Sequence, residues 1–188
     1  LMKFRFLTRI FGDRPTPIEA IYQRLSSVQR IRNNDQFWLQ FAMSSIEQED
    51  IANAERYIET ALGLAAKRGA NYSTHQILDQ RARVLLLKQV KKKGPPNTTE
   101  IEMAIDDLNQ TLGSGSAVEK IHPLRSAPYL LRLVEEKIDD PPLRARLLTT
   151  LEAMRNLLIN EKLSKTAKGE VDALKKTVMT ATLVLKNA

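Results

Sequence analysis

The chain reads as an all-α protein. Apolar residues recur three and four positions apart along nearly its whole length, and no stretch alternates Val, Ile, Thr and aromatics between turn dipeptides as a strand would. Its 7 glycines and 8 prolines fall mainly between the periodic segments and punctuate them.

Taken in order, residues 1–11 form a short helix that stops at Gly12. Thr16 with Pro17 opens a second helix to about Arg32, because proline is preset for a first turn. Asn33, Asn34 and Asp35 make a turn and a cap, and a third helix covers roughly 36–48. Asp50 caps a fourth at about 51–68, which Gly69, Ala70 and Asn71 close. Ser73 or Thr74 begins a fifth, to about Lys92. The run KKKGPPNTTE ends it, since two prolines after a glycine cannot continue a helix, and Thr98 or Thr99 caps a sixth to about Leu112. GSGS at 113–116 is the most flexible segment. Pro123 and Pro128 then break the helical pattern at 117–138, and Asp139-Asp140 precedes Pro141-Pro142. Two further helices follow at about 143–161 and 165–186.

With 188 residues, 43% hydrophobic and 27% charged, the chain suffices for one domain or for several stacked helical repeats sharing a core. Zero cysteines exclude a disulfide framework, a thiolate zinc site and a cysteine nucleophile. His75 and His122, the two histidines, do not by themselves build a multi-histidine metal site. No apolar run approaches the roughly 20 residues that span a bilayer, so a soluble, cytoplasmic protein is expected. The opening segment LMKFRFLTRIF is basic and apolar together, and its start on Leu reads as a piece of something longer. Phe4, Phe6, Leu7, Ile10 and Phe11 suit either a membrane surface or a preceding domain or the second helix.

The net charge of +7 alternates in sign along the chain: +5 over 1–34, −4 over 35–67, +6 over 68–94, −5 over 95–140 and +5 over 141–188. Such alternation lets neighbouring helices complement one another, whereas a nucleic-acid binder more often gathers its cations on one face.

Trp38, Phe41 and Ala42 share one face of the third helix, and Ala54, Ile58 and Ala61 share one face of the fourth, with Tyr57 beside them. This spacing resembles the 34-residue tetratricopeptide repeat, with Ser45 standing where a Tyr is usual and Ala66 where a Pro often ends the unit. A second unit aligns on Leu78, Ala82 and Leu85, then Ala104 and Leu108, with a hairpin about ten residues longer. The resemblance implies antiparallel helix pairs forming a right-handed α-solenoid of about 8–9 helices. It divides the chain into N-terminal helices at 1–34, two such pairs at 35–112, and a degenerate pair plus a C-terminal capping helix at 113–188.

The FWLQFA and AERYIETA helices, with Gln76-Ile77, Asp79, Ala82-Arg83 and Leu85-Leu86, are also similar to the C-terminal repeat region of large bacterial proteins. Those proteins join an NTPase, sirtuin-like or other effector domain to a repeat array, many of them in anti-phage defence. The resemblance implies a noncatalytic sensor, scaffold or oligomerisation module, with catalysis in another domain.

No phosphate-binding loop, no dinucleotide loop, no H-E-x-x-H and no G-x-S-x-G occurs. The pairs Glu135-Glu136 and Asp106-Asp107 are adjacent on helices, so their side chains diverge by about 100° and form no local acid–base site. His75 suits a capping role and His122 a loop. The expectation is no enzyme, no cofactor and no metal.

In the repeat register, Gln36, Leu39, Met43, Ile46 and Glu47, then Gln76, Asp79, Arg83 and Leu86, line the inner face. Either that face takes an amphipathic helix or peptide, from a partner, a subunit or another domain of the same protein, or a neighbouring helix such as 16–32 already covers it. Asp79 and Arg83 either clamp a polar group or form an intrahelical ion pair. The alternative function is a basic helical nucleic-acid-binding module. Arg30 and Arg32, then Arg81, Lys88, Lys91, Lys92 and Lys93, are its anion-binding candidates, although a lysine run at a helix C-terminus also answers the macrodipole.

Overall fold

The structure is a computed structural model that describes residues 18–69, 74–113, 121–136, 138–160 and 168–187. The expected helix at 1–11, with its Phe4 to Phe11 stripe, and the GSGS segment after Gly113 lie outside the described residues. Every regular element among the described residues is helical: α1 (Ile18–Ser26), α2 (Gln29–Arg32), α3 (Asp35–Glu47), α4 (Ile51–Ala66) and α5 (His75–Lys91). They continue with α6 (Thr98–Leu112), α7 (Ile121–Leu124), α8 (Ala127–Glu136), α9 (Pro141–Asn160) and α10 (Lys168–Asn187). The second expected helix is interrupted at Ser27 and Val28, and the segment carrying Pro123 and Pro128 is split into α7 and α8. No helix among the described residues is long and apolar enough to cross a membrane.

The α3–α4 hairpin shows how local sequence sets the turn. Glu49 sits at φ 59°, the left-handed conformation that ends a helix; its N–H donates to the Ile46 carbonyl at 3.0 Å and the Asp50 N–H to the Ser45 carbonyl at 2.9 Å. That pair of bonds satisfies the last carbonyls of α3. Asp50 at once caps α4, its Oδ1 accepting from the Asn53 N–H at 3.2 Å. Three residues therefore reverse the chain. At the open end of the hairpin the Arg68 guanidinium lies 2.8 Å from the buried Asp35 carboxylate. Ala42, Ala54 and Ala61 are each fully buried, and the small side chains at these positions let the two helices approach closely. Tyr22, Phe41 and Tyr57 stack in series beside this contact, with ring centroids 4.4 and 3.9 Å apart.

The α5–α6 hairpin uses a longer connection, fastened by a side chain. Gln89 of α5 is buried; its Oε1 accepts from the Asn97 N–H at 2.7 Å and its amide donates to Glu100. Gly94, at φ 98°, supplies the backbone sign that a side chain would resist, and Asn97 caps α6 by accepting from the Glu100 N–H. α9 begins on Pro141 and Pro142, where missing N–H groups cost little, with Asp140 Oδ1 accepting from the Leu143 N–H at 2.9 Å.

The apolar interior falls into two clusters with α5 between them. Leu39, Phe41 and Ile46 of α3 and Ala54, Ile58 and Ala61 of α4 meet Ile77, Val84 and Leu87 of α5. Leu85, Leu86 and Val90 of the same helix join Ile101, Ile105 and Leu108 of α6 and the buried stripes of α8, α9 and α10. The expectation for the last third was a helix pair with an outer cap. In the structure α8 and α9 meet only narrowly, and α10 packs along both. Its stripe Leu174, Val178, Ala181 and Leu185 is buried, so α10 supplies apolar surface that each of the other two needs. α9 is also tied to α6: Arg146 bonds Glu102 at 3.0 Å and Asp106 at 2.6 Å, and the Thr150 hydroxyl donates to Asn109 at 3.1 Å.

The alanine contact carries a direct test. Ala54→Leu overfills the α3–α4 contact and is expected to cost roughly 1–3 kcal/mol, read as a lower urea midpoint, whereas the same change at exposed Ala52 leaves the midpoint near that of the wild type.

Candidate functional site

Of the two readings of the inner face, an open groove or a stripe covered by a neighbouring helix, its apolar residues Leu39, Ile46 and Leu86 follow the second. Leu39 is 1% exposed, Ile46 5% and Leu86 fully buried. The reason is packing: Leu39 and Ile46 belong to the cluster that Ile77, Val84 and Leu87 of α5 complete, and Leu86 faces the cluster built on α6 and α8. The covering element for α3 is chiefly α4; α5 and the two short helices of the 16–32 segment, α1 through Tyr22 and α2, add smaller contacts. Gln36, Met43 and Arg83 are half-buried, and Gln76 is exposed. None of these residues lines either of the two clefts described below. By contrast Trp38, Phe41, Ala42, Ala54, Ile58 and Ala61 lie at or beside the interior of the first hairpin, where the spacing placed them.

Asp79 is the unusual member of that set. It is 1% exposed, its Oδ2 accepts from Gln80 Nε2 at 2.7 Å, and its Oδ1 accepts no hydrogen bond. It forms no ion pair with Arg83, which instead donates to Gln80 Oε1 at 3.2 Å. Burial pushes the Asp79 carboxyl up to about 6, against the opposing pull of Arg83 and Arg125 and the Gln80 hydrogen bond.

Three of the expected anion-binding cations are held by the protein's own carboxylates. Arg81 grips Asp107 with two bonds of 2.7 Å, from Nε and Nη2. Lys88 stands between two acids, 2.8 Å from Glu55 and 2.9 Å from Glu100, and those bonds raise its ammonium above the usual lysine range. Lys91 pairs with Glu49. Lys92 and Lys93 are exposed in the connection that follows, and Arg30 and Arg32 are exposed on α2. The alternating charge blocks thus meet across helix seams, from 12 to 42 residues apart in sequence.

Clefts among the described residues include two at helix junctions. One, of about 200 Å³, lies where α1, α3 and α4 meet; Trp38, Phe41 and Tyr57 line it, with Arg56 at its side. Arg56 covers the Tyr57 ring at 4.8 Å, and Trp38 Nε1 donates to the Arg32 carbonyl at 2.7 Å, so both groups are already engaged. The other, of about 220 Å³, follows the seam between the two hairpins. Ile58, Val84 and Leu85 form its floor, Met103 of α6 one lip, and Glu55 and Glu59 of α4 the other. Met103 is 42% exposed, the large apolar side chain that the fold leaves open on α6. Its signal was present in the sequence: on α6 it falls off the stripe Ile101, Ala104, Ile105 and Leu108, between Glu102 and Asp106.

The buried acid has a pH signature. Because folding raises Asp79 from an ordinary 3.8 to about 6, its contribution to stability is greatest below pH 4 and is lost as pH rises through 6. Asp79→Asn should therefore gain on the wild type by on the order of 3 kcal/mol between about pH 4 and about pH 7, measured as the difference of the two urea stabilities at each pH. No family model, no curated protein and no solved structure matches the chain.

Proposed function

We propose that the chain is a noncatalytic helix-pair module of the tetratricopeptide kind, stacked as a right-handed α-solenoid, that docks a protein partner. In this reading it is the sensor or scaffold portion of a larger bacterial protein, of the type that serves in anti-phage defence in the cytoplasm, and it works by bringing subunits or domains together. The repeat spacing from Trp38 to Ala61, with alanines buried at the three close contacts, supports the architecture.

The observation that carries the docking reading is the seam cleft. It has an apolar floor, an exposed methionine at its lip and charged groups around it, the composition of a contact surface rather than of a solvated seam. Methionine adapts its shape to what it meets. The partner-binding surface in this reading is the outer seam, not the inner stripe of Leu39 and Ile46. The nucleic-acid alternative is weaker on a specific ground: Arg81, Lys88 and Lys91 already answer the chain's own carboxylates.

Affinity capture of the natural protein from its host, with and without nuclease, tests the reading. Met103→Glu should reduce recovery of a protein partner more than about tenfold, while Met179→Glu, at a comparably exposed methionine on α10, should leave it unchanged. Loss of the bound material on nuclease treatment, with no response to Met103→Glu and release by Lys92→Glu/Lys93→Glu, would establish the nucleic-acid reading instead.

A further inference from the structure

We propose that the seam cleft is a receptor for a lysine or arginine side chain presented by a basic, apolar-flanked segment of the partner. The inference rests on the docking reading and adds the chemistry of what docks. It begins from the balance of charge around the cleft. Two carboxylates, Glu55 and Glu59, and one cation, Arg81, line it; outside the lining, Asp107 holds Arg81, and Lys88 bridges Glu55 to Glu100. Arg81 is spent on Asp107 by two bonds, and Lys88 is divided between Glu55 and Glu100. Glu59 makes no hydrogen bond and no ion pair; the cation beside it in the cleft, Arg81, has its guanidinium committed to Asp107.

An acidic cleft on a chain of net charge +7 discriminates among occupants. An anionic segment meets uncompensated Glu59 and is repelled. A purely apolar segment covers Glu59 beside Met103 and leaves its carboxylate partly desolvated with nothing to bond, which is unfavourable. A long cationic side chain satisfies both halves of the surface. Its methylene stem lies over Met103, Leu85 and Ile58, and its charged head reaches Glu59 at the rim. Glu55 and Glu59 are one turn apart on α4, so a guanidinium at Glu59 also comes within the field of a second carboxylate. The apolar residues flanking that cation in the partner then cover Met103, and the seam becomes a closed contact.

Selection from a random peptide library displayed on phage, against the whole purified chain, tests the proposal, followed by fluorescence anisotropy of one selected peptide. The selected peptides should carry Lys or Arg beside an apolar residue. Glu59→Gln should weaken the peptide about threefold and Glu59→Lys at least about tenfold, with Glu136→Lys on α8 inert. Glu59 is exposed, so these variants keep the fold, and unchanged urea midpoints verify it. Selected peptides that lack a cation yet are lost with Met103→Glu would overturn the basic-segment proposal and leave the docking reading standing. Peptides indifferent to both Glu59→Lys and Met103→Glu would overturn both. Failure to select any peptide, or a dimer of the chain itself that Met103→Glu dissolves, overturns the proposal as well, the docking reading then being decided by the capture experiment.

Discussion

Helix α5 is buried on nearly every side, and the remainder of the chain is arranged around that condition. A helix with a single apolar stripe needs one neighbour; α5 carries Ile77, Val84 and Leu87 toward the first hairpin and Leu85, Leu86 and Val90 toward α6 and the C-terminal helices. Burial on both flanks also takes Asp79, Gln80 and Gln89 out of water, so each polar group has to find a bond inside the protein. Gln89 does so by fastening the connection to α6, and Gln80 by linking Asp79 to Arg83. Asp79 Oδ1 and Arg83 Nε are left without a hydrogen bond, and burial raises the proton affinity of the Asp79 carboxyl.

The helices themselves were legible in the sequence because their signals are local. Asn34 and Asp50 are caps whose side chains accept the expected N–H groups, whereas α6 is capped by Asn97, just ahead of the expected Thr98 or Thr99; the prolines at 95–96 and 141–142 stand between elements or at a first turn. Of the Trp38 to Ala61 positions, Phe41, Ala42, Ala54, Ile58 and Ala61 are buried and Trp38 packs half-buried against them, since within one hairpin the neighbour of each face is set by the turn. What the sequence does not carry is which flank a third helix covers. Leu39 and Ile46 read equally well as a groove or as an interface, and the decision is made by α5, whose own contact residues begin some thirty positions later. The seam cleft is hidden for the same reason: Glu59, Leu85 and Met103 lie on three different helices, and only Met103, apolar on a polar stripe, betrays its exposure.

Charge has a similar division of labour. The alternating blocks predict complementary helix seams, and the structure supplies them through Arg81–Asp107, Lys88 between Glu55 and Glu100, and Arg146 between Glu102 and Asp106. Exposed pairs of this kind contribute little individually to stability. Their larger effect here is on what the surface presents, because cations turned inward onto seams are withdrawn from solvent-borne anions. Glu59 remains outside that system, and the seam keeps an acidic character that the overall charge of the chain conceals.

The shared wall formed by α5 also bears on how the molecule comes apart. Neither cluster can shed α5 without exposing a flank that the other does not cover, so the loss of one cluster removes support from the helix on which the second is built. Cooperative unfolding units in helical arrays are ordinarily as small as one repeat. Here the smallest unit that can open without disturbing α5 lies at the margins, in α1 with α2 or at the far ends of α9 and α10, and amide hydrogens of α5 are expected to exchange through opening of the molecule as a whole.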